Sequence, residues 1–335
     1  MKRIKLANPR GFCAGVDRAI DIVSKALEIY DDPVYVRHEV VHNRKVVDDL
    51  KSRGAVFVEE LSEIPDDGIT IFSAHGISAS VENEAEDRKL KFFDATCPLV
   101  SKVHKEVIRF ASVGKDIIMI GHKNHPEVEG TLGRFPEHSQ GKMYLVENLE
   151  QAKTIKVNQP DNLCLVTQTT LSVSDTEEIV EELKTRFPLM QEPRSEDICY
   201  ATQNRQDAVK QLALESDLII VVGSQNSSNS TRLKELAENC GVKSVLLDEP
   251  EKINLLDLKN IETIGITAGA SAPEELVQEM VKKCNLLGYQ INEEMEGLKE
   301  KVFFKFFINF ICHFCFYKTR RYAIYINILF CIFYG

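Results

Sequence analysis

Three cysteines stand in matching surroundings at widely separated points of this chain. Cys13 follows Pro9-Arg10-Gly11-Phe12 and precedes Ala14-Gly15, Cys97 follows Asp94-Ala95-Thr96 and precedes Pro98, and Cys199 follows Asp197-Ile198 and precedes Tyr200-Ala201. Apolar residues at helical spacing come after each: Val16, Ile20, Val23 and Leu27; Val103, Val107 and Phe110; Val209, Leu212 and Leu214. Each thiol therefore falls at the mouth of a helix, where the helix dipole favours negative charge, and Cys13 is expected as a thiolate. Three thiolates from three separate stretches suit an iron–sulfur cluster. A [4Fe–4S] cubane held by three cysteines keeps one iron without a protein thiolate, open to a ligand. Zinc is the alternative, but zinc usually gathers its ligands at short local spacings, and these are not short. Singly, each cysteine could equally be a buried structural thiol, as Cys164, Cys240 and Cys284 read. The matching contexts favour ligation.

Apolar runs elsewhere end in polar mouths. Val34-Tyr35-Val36 leads to His42, Ile69-Thr70-Ile71-Phe72 to His75, and Ile117-Ile118-Met119-Ile120 to His125. Leu163-Cys164-Leu165-Val166 leads to Thr169, Leu218-Ile219-Ile220-Val221-Val222 to Ser227, Ser228 and Asn229, and Thr263-Ile264-Gly265-Ile266 to Ser271. Hydroxyls, amides, imidazoles and helix starts together make a phosphate cradle: backbone N–H groups bind the anion, and imidazolium adds charge-assisted hydrogen bonds. Each residue alone is more often a helix cap or a satisfied loop side chain. His125-Pro126-Glu127 supplies the expected proton source, since a carboxylic acid near apolar surface keeps its proton at neutral pH. Glu129 competes for that role, and the plainer account of Glu127 is a first-turn helix acid.

Short apolar runs alternating with helical patterns require parallel α/β structure to position these groups. The order repeats three times: cysteine at a helix, strand with a polar mouth, strand with a polar mouth. Cys13 to His42, Cys97 to His125 and Cys199 to Ser228 span 29, 28 and 29 residues; the following steps to His75, Thr169 and Ser271 span 33, 44 and 43. Ligands collect at the carboxyl ends of parallel strands. The expected fold is therefore α/β, with three pseudo-threefold-related small lobes of mainly parallel sheet around a central cavity. The lobes are expected at 1–96, 97–196 and 197–284, with a C-terminal tail at 285–335.

The chain has 335 residues and a formal net charge of −10, a balance that argues against nucleic acid as partner. An anionic substrate must be drawn by a local site. No apolar leader follows Lys2, Arg3 and Lys5, so reduced cysteines and a cytoplasmic location are expected. From about residue 302 the tail is crowded with Phe, Ile, Tyr, Cys and Asn, interrupted by Lys305, Asn309, His313, Lys318, Arg320 and Arg321. Its apolar stretches fall short of a membrane span, and a frameshifted or read-through end is favoured over a surface-lying segment. Cys312 and Cys315 are discounted as a metal pair in that setting.

Taken together, ANPRGFCAGVDRAI, VRHEVVHNR, FSAHGIS, DATCPLV, GHKNHPEVEGT, TQTTLS, DICYATQNRQ, VGSQNSSNS and TAGASAP closely resemble the 4-hydroxy-3-methylbut-2-enyl diphosphate reductase family. The resemblance runs from Lys5 to about Pro273. It implies three α/β lobes around one [4Fe–4S] cluster on Cys13, Cys97 and Cys199, with one open iron. It implies reductive removal of an allylic hydroxyl, giving isopentenyl and dimethylallyl diphosphates. It assigns diphosphate contacts to His42, His75, His125, Ser227, Ser228, Asn229 and Ser271, proton delivery to Glu127, and a place beside the substrate hydroxyl to Thr169. A ferredoxin or flavodoxin is the implied electron donor. The tail departs from the family's usual polar C-terminus. Two other classes remain open on the residues alone: a non-redox iron–sulfur dehydratase, which needs no electron donor, and a redox or iron sensor, which has little use for a phosphate cradle.

Overall fold

The apolar runs become strands, several of them buried along their whole length, as parallel sheets covered by helices require. The computed structural model describes residues 2–304, apart from the side chains of Asn292 and Glu293. Most of the hydrophobic tail, with Cys312 and Cys315, lies outside the described residues.

Strand β1 (Arg3–Leu6) leads to Cys13, the N-cap of α1 (Ala14–Ile29). Four strands follow: β2 (Val34–Arg37), β3 (Ala55–Val58), β4 (Ile69–Phe72) and β5 (Lys91–Asp94). They form a sheet in the order β3-β2-β4-β5, crossed over by α2 (Arg44–Ser52) and α3 (Ala79–Asp87). Cys97 is the N-cap of α4 (Pro98–Ser112), with Pro98 in the first turn. The Asp94 carboxylate accepts the Thr96 N–H at 2.8 Å and shapes the approach to Cys97.

The second sheet, β7-β6-β8, contains β6 (Asp116–Ile120), β7 (Met143–Val146) and β8 (Leu163–Thr167), with α5 (Pro126–Leu132), α6 (Leu149–Thr154) and α7 (Val173–Arg186) connecting them or following. Cys199 is the N-cap of α8 (Tyr200–Ala213). After it come β9 (Leu218–Val222), α9 (Ser228–Asn239), β10 (Lys243–Leu247), β11 (Thr263–Ala268), α10 (Glu274–Leu286) and β12 (Gln290–Glu294). All inter-strand pairings within the three sheets are parallel.

The third sheet is ordered β10-β9-β11-β1-β12. Sequence order put β1 in the first lobe and residues 290–294 in the tail, yet β1 pairs with β11 on one side and β12 on the other. The reason lies in the repeat. The strand before each cysteine completes the preceding sheet: β5, before Cys97, pairs with β4, and Gln191, before Cys199, makes a parallel bridge to Cys164. For Cys13 the preceding sheet is the last one, so the chain closes into a ring.

The helix after each cysteine belongs to the next core. Ala19, Ile22, Val23 and Ala26 of α1 pack with Val34, Val36, Ile69 and Ile71. Val103, Val107 and Phe110 of α4 pack with Ile117, Met119 and Val166. Ala208, Val209 and Leu212 of α8 pack with Ile219 and Val221. Each fully buried Leu, Ile or Val side chain contributes about 1.5–3 kcal/mol of transfer free energy, so these helix origins are held by their cores. The cysteines thus stand at the switch points between units, where parallel sheets place ligands.

Candidate functional site

One cavity collects the ends of all three units. Its lining includes Cys13, Cys97 and Cys199, together with His42, His75, His125, Glu127, Thr169, Ser227, Ser228, Asn229 and Ser271. All twelve residues singled out from the sequence meet there.

The sulfurs lie against bare backbone. A Cβ at Gly15 would stand 2.7 Å from Cys97 Sγ and 3.9 Å from Cys13 Sγ, so the missing side chain leaves the space in which two units present their thiols. Cys199 Sγ accepts the Thr202 N–H at 3.4 Å and lies 3.1 Å from the Thr202 hydroxyl. Burial pushes the Cys13 thiol up, the Cys97 thiol to about 12 and the Cys199 thiol to about 11, and each of the last two is raised further by its neighbouring cysteines. The thiolate expected for Cys13 from its helix mouth is therefore outweighed by desolvation. A thiolate group of this kind is stabilised by cations: a coordinating thiol is deprotonated outright. Among the described residues, no group of three or more His, Cys, Asp or Glu is placed to hold a metal ion, which needs its ligands about 2.0–2.3 Å from one point. Three thiols around a shared space suit a polynuclear centre, in which each sulfur meets a different iron.

In the same cavity the three imidazoles touch. His42 and His75 stack with centroids 4.1 Å apart, and His125 meets them edge-on at 5.6 and 5.9 Å. Each Nδ1 is held from behind: His42 by Glu39 at 3.0 Å, His75 by the Ser73 hydroxyl at 3.3 Å, and His125 by accepting the Glu127 N–H at 3.2 Å. An Nδ1 that accepts puts the His125 proton on Nε2, making that nitrogen the donor. Burial, then the other histidines, drive His75 well below the ordinary range and His125 down to about 3. These two are thus neutral donors without an anion, not the imidazolium ions expected from sequence. A phosphate beside them would favour the protonated form.

The third unit supplies hydroxyls and an amide. Ser227 caps α9 by accepting the Ser230 N–H, and the Ser271 hydroxyl donates to the His42 carbonyl at 2.9 Å, joining the third unit to the first. Asn229 Oδ1 accepts the Ala270 N–H at 2.8 Å, which turns its NH2 toward Thr202. Ser228 lies 3.3 Å from the Thr170 hydroxyl, joining the third unit to the second.

Glu127 is 2% exposed, in the first turn of α5. Its Oε1 accepts the Thr169 N–H at 2.6 Å and its Oε2 is 3.0 Å from the Thr169 hydroxyl. Desolvation raises its pKa to about 7, against the two Thr169 hydrogen bonds and with some help from Asp197. Since the backbone N–H occupies Oε1, the acid proton belongs on Oε2, aimed at the threonine oxygen. Glu129 is exposed and does not line the cavity. Geometry separates two carboxylates that sequence left level.

Three contributors went unread in the sequence. Thr170 and Thr202 line the cavity, and Glu39 holds His42 while accepting from Asn226 at 2.8 Å. Thr202 carried a signal: it stands three residues after an N-cap, where its N–H returns to the capping side chain.

The family model described as "LytB protein" matches residues 4–285. The chain belongs to the LytB family. It is 58% identical over 302 residues to the 4-hydroxy-3-methylbut-2-enyl diphosphate reductase of Chromohalobacter salexigens, covering 90% of this chain and 95% of that protein. Identity to the protein of the same name from Xanthomonas axonopodis pv. citri is 59%, with 90% and 96% covered. The solved structure of the E-1-hydroxy-2-methyl-but-2-enyl-4-diphosphate reductase from Plasmodium falciparum superposes with a TM-score of 0.86 at 41% identity, covering 96% of this chain and 99% of that one. A second solved structure, of a (E)-4-hydroxy-3-methyl-but-2-enyl diphosphate reductase described as the terminal enzyme of the non-mevalonate pathway, gives 0.60 at 31% identity, covering 85% and 100%.

Proposed function

We propose that this LytB-family chain is a 4-hydroxy-3-methylbut-2-enyl diphosphate reductase, acting at the last step of the non-mevalonate route to isoprenoid precursors. The observation that carries this reading is one cavity lined by three thiols, three imidazoles and a buried acid, in a chain 58% identical to reductases of that name. The reaction breaks the allylic C–O bond and forms a C–H bond: two electrons and two protons enter, water leaves, and isopentenyl or dimethylallyl diphosphate results.

Cys13, Cys97 and Cys199 would hold one [4Fe–4S] cluster with one iron free of protein ligands; when bound, it supplies the electrons and a Lewis-acidic seat for the hydroxyl. The chain's own residues do the rest. His42, His75, His125, Ser227, Ser228, Asn229 and Ser271 bind the diphosphate through N–H and O–H donors from the first, second and third units. An anion that bridges the units holds them together and excludes water. Glu127 holds the proton on Oε2, and Thr169, donor and acceptor at once, aligns it with the leaving hydroxyl.

Reducing equivalents come from a ferredoxin- or flavodoxin-type donor, and the setting is cytoplasmic, consistent with the six described cysteines being free thiols. No described helix is long and apolar enough to cross a membrane. The test is turnover of the allylic diphosphate by anaerobically purified chain, with and without dithionite, beside iron and sulfide analysis. Product formed only with reductant supports the reading. Water loss without reductant would make the chain a dehydratase, and a colourless zinc protein would defeat the cluster.

A further inference from the structure

The carbonyl oxygens just before each cysteine pose a problem. Most of them stand between a strand end and a helix start, outside either ladder, so the donors that reach them set how the loop runs. In all three units a cation on the helix that starts the same unit donates to carbonyls in this approach, and at Cys199 the Ile198 carbonyl is taken by Gln203 at 2.7 Å. Arg18 of α1 donates to the Thr96 carbonyl at 3.1 Å and the Asp94 carbonyl at 3.4 Å, just ahead of Cys97. Lys102 of α4 donates to the Ser195 and Glu196 carbonyls at 2.8 and 2.9 Å and to the Asp197 carboxylate at 3.1 Å, just ahead of Cys199. Arg205 of α8 donates to the Gly11 carbonyl at 2.8 and 3.0 Å and to the Phe12 carbonyl at 3.0 Å, just ahead of Cys13.

The cations follow their own cysteines by five, five and six residues. That places them near the start of each helix, within reach of the next cysteine's loop. The arrangement repeats the threefold order and closes on itself: α1 serves Cys97, α4 serves Cys199, and α8 serves Cys13.

We propose that Arg18, Lys102 and Arg205 are positioning residues forming a closed ring, in which the helix leaving one cysteine holds the loop that delivers the next, so that the three sulfurs are set relative to one another before any metal arrives. Burial supports a role beyond packing. Arg205 is 0% exposed and is the largest fully buried side chain among the described residues. An apolar side chain of similar volume would fill that space at no desolvation cost, so the charge serves the oxygens it faces. Glu300 completes the Arg205 site at 3.0 Å and brings the described C-terminal residues to the same junction.

The inference rests on the three cysteines forming one site, not on the identity of the metal. Its test is site-by-site alkylation by iodoacetamide in the full chain, stripped of metal by a chelator under argon and read by peptide mass spectrometry. Lys102 is partly exposed, so Lys102→Met is the variant least exposed to misfolding. It should alkylate at Cys199 about tenfold faster, with Cys13 and Cys97 within about twofold of the parent, and Lys102→Arg should restore the parent rate. Arg18→Met should act at Cys97, and Arg205→Met at Cys13. Cys164 and Cys284, buried in two different cores, report general loosening in the same sample. Faster reaction at the cysteine on the substituted helix, equal acceleration of all three, or a parallel rise at Cys164 and Cys284 in Lys102→Met would overturn the ring. Iron in the parent chain as purified is read separately, so failure of the cluster reading and failure of the ring are distinguishable.

Discussion

The sulfur side of the cavity and its polar side are built from the same repeat but treat symmetry oppositely. Each unit gives the same contribution to the sulfur side: a cysteine at the N-cap of a long helix. At the strand mouths the equivalent positions diverge. His42, His125 and Ser228 are counterparts, as are His75, Thr169 and Ser271. The first unit supplies two imidazoles, the second one imidazole and a carboxylic acid with its threonine, and the third hydroxyls and an amide. An inorganic centre with equivalent corners accepts three equal ligands. On the proposed function, an allylic diphosphate with an anionic end and a hydroxyl end asks for residues that differ, and symmetry is kept where the ligand would be symmetric.

This contrast predicts that substitutions on the two sides fail differently. Cys97→Ser should lose iron and all measurable turnover, seen as bleached visible absorbance and low iron per chain. Glu127→Gln should keep its iron yet lose about 10²–10⁴ in kcat, because an amide of the same shape has no acid proton to give. Turnover at normal iron content in that variant would break the assignment. On this assignment the acid form is the active one in the parent chain, and burial raises the Glu127 pKa to about 7. Activity should therefore be retained on the acid side and fall about tenfold per pH unit above that point, with the fall absent from the residual rate of Glu127→Gln.

Ser271→Ala removes one hydroxyl from the anion's surroundings and should raise KM roughly tenfold with iron unchanged. Loss of iron there would blur the two sides. Glu129→Gln should change kcat by less than about twofold, since an exposed carboxylate outside the cavity has no part in the chemistry.

Much of this was legible before any coordinates. The cysteines and polar mouths announced themselves because period, residue type and position relative to helix starts all agreed. What escaped notice was carried by tertiary context. Cys13 was expected as a thiolate from local helix geometry, but desolvation from the assembled units dominates its titration. His75 and His125 lose their expected charge because they were brought together and buried, which no local pattern encodes. Glu127 and Glu129 are indistinguishable by type and differ only in which side of a short helix faces inward. Among the outer strands, β10 has a shorter apolar run than β9, while β7 is as apolar as β6 and differs from it in being only partly buried. The cations of the ring were visible as residues, but their spacing acquires meaning only when each helix is seen beside the next cysteine.

The position of β1 between β11 and β12 has a consequence for biogenesis. Arg3 pairs with Thr263 and with Gln290, so β1 finds its sheet neighbours only after the chain has been made as far as residues 263–294. Chains fold largely from the amino end during synthesis, whereas this sheet joins residues 3–6 to residues 263–268 and 290–294. The loop bearing Cys13 follows β1 directly, so it takes its place only when β11 and β12 are there to hold that strand.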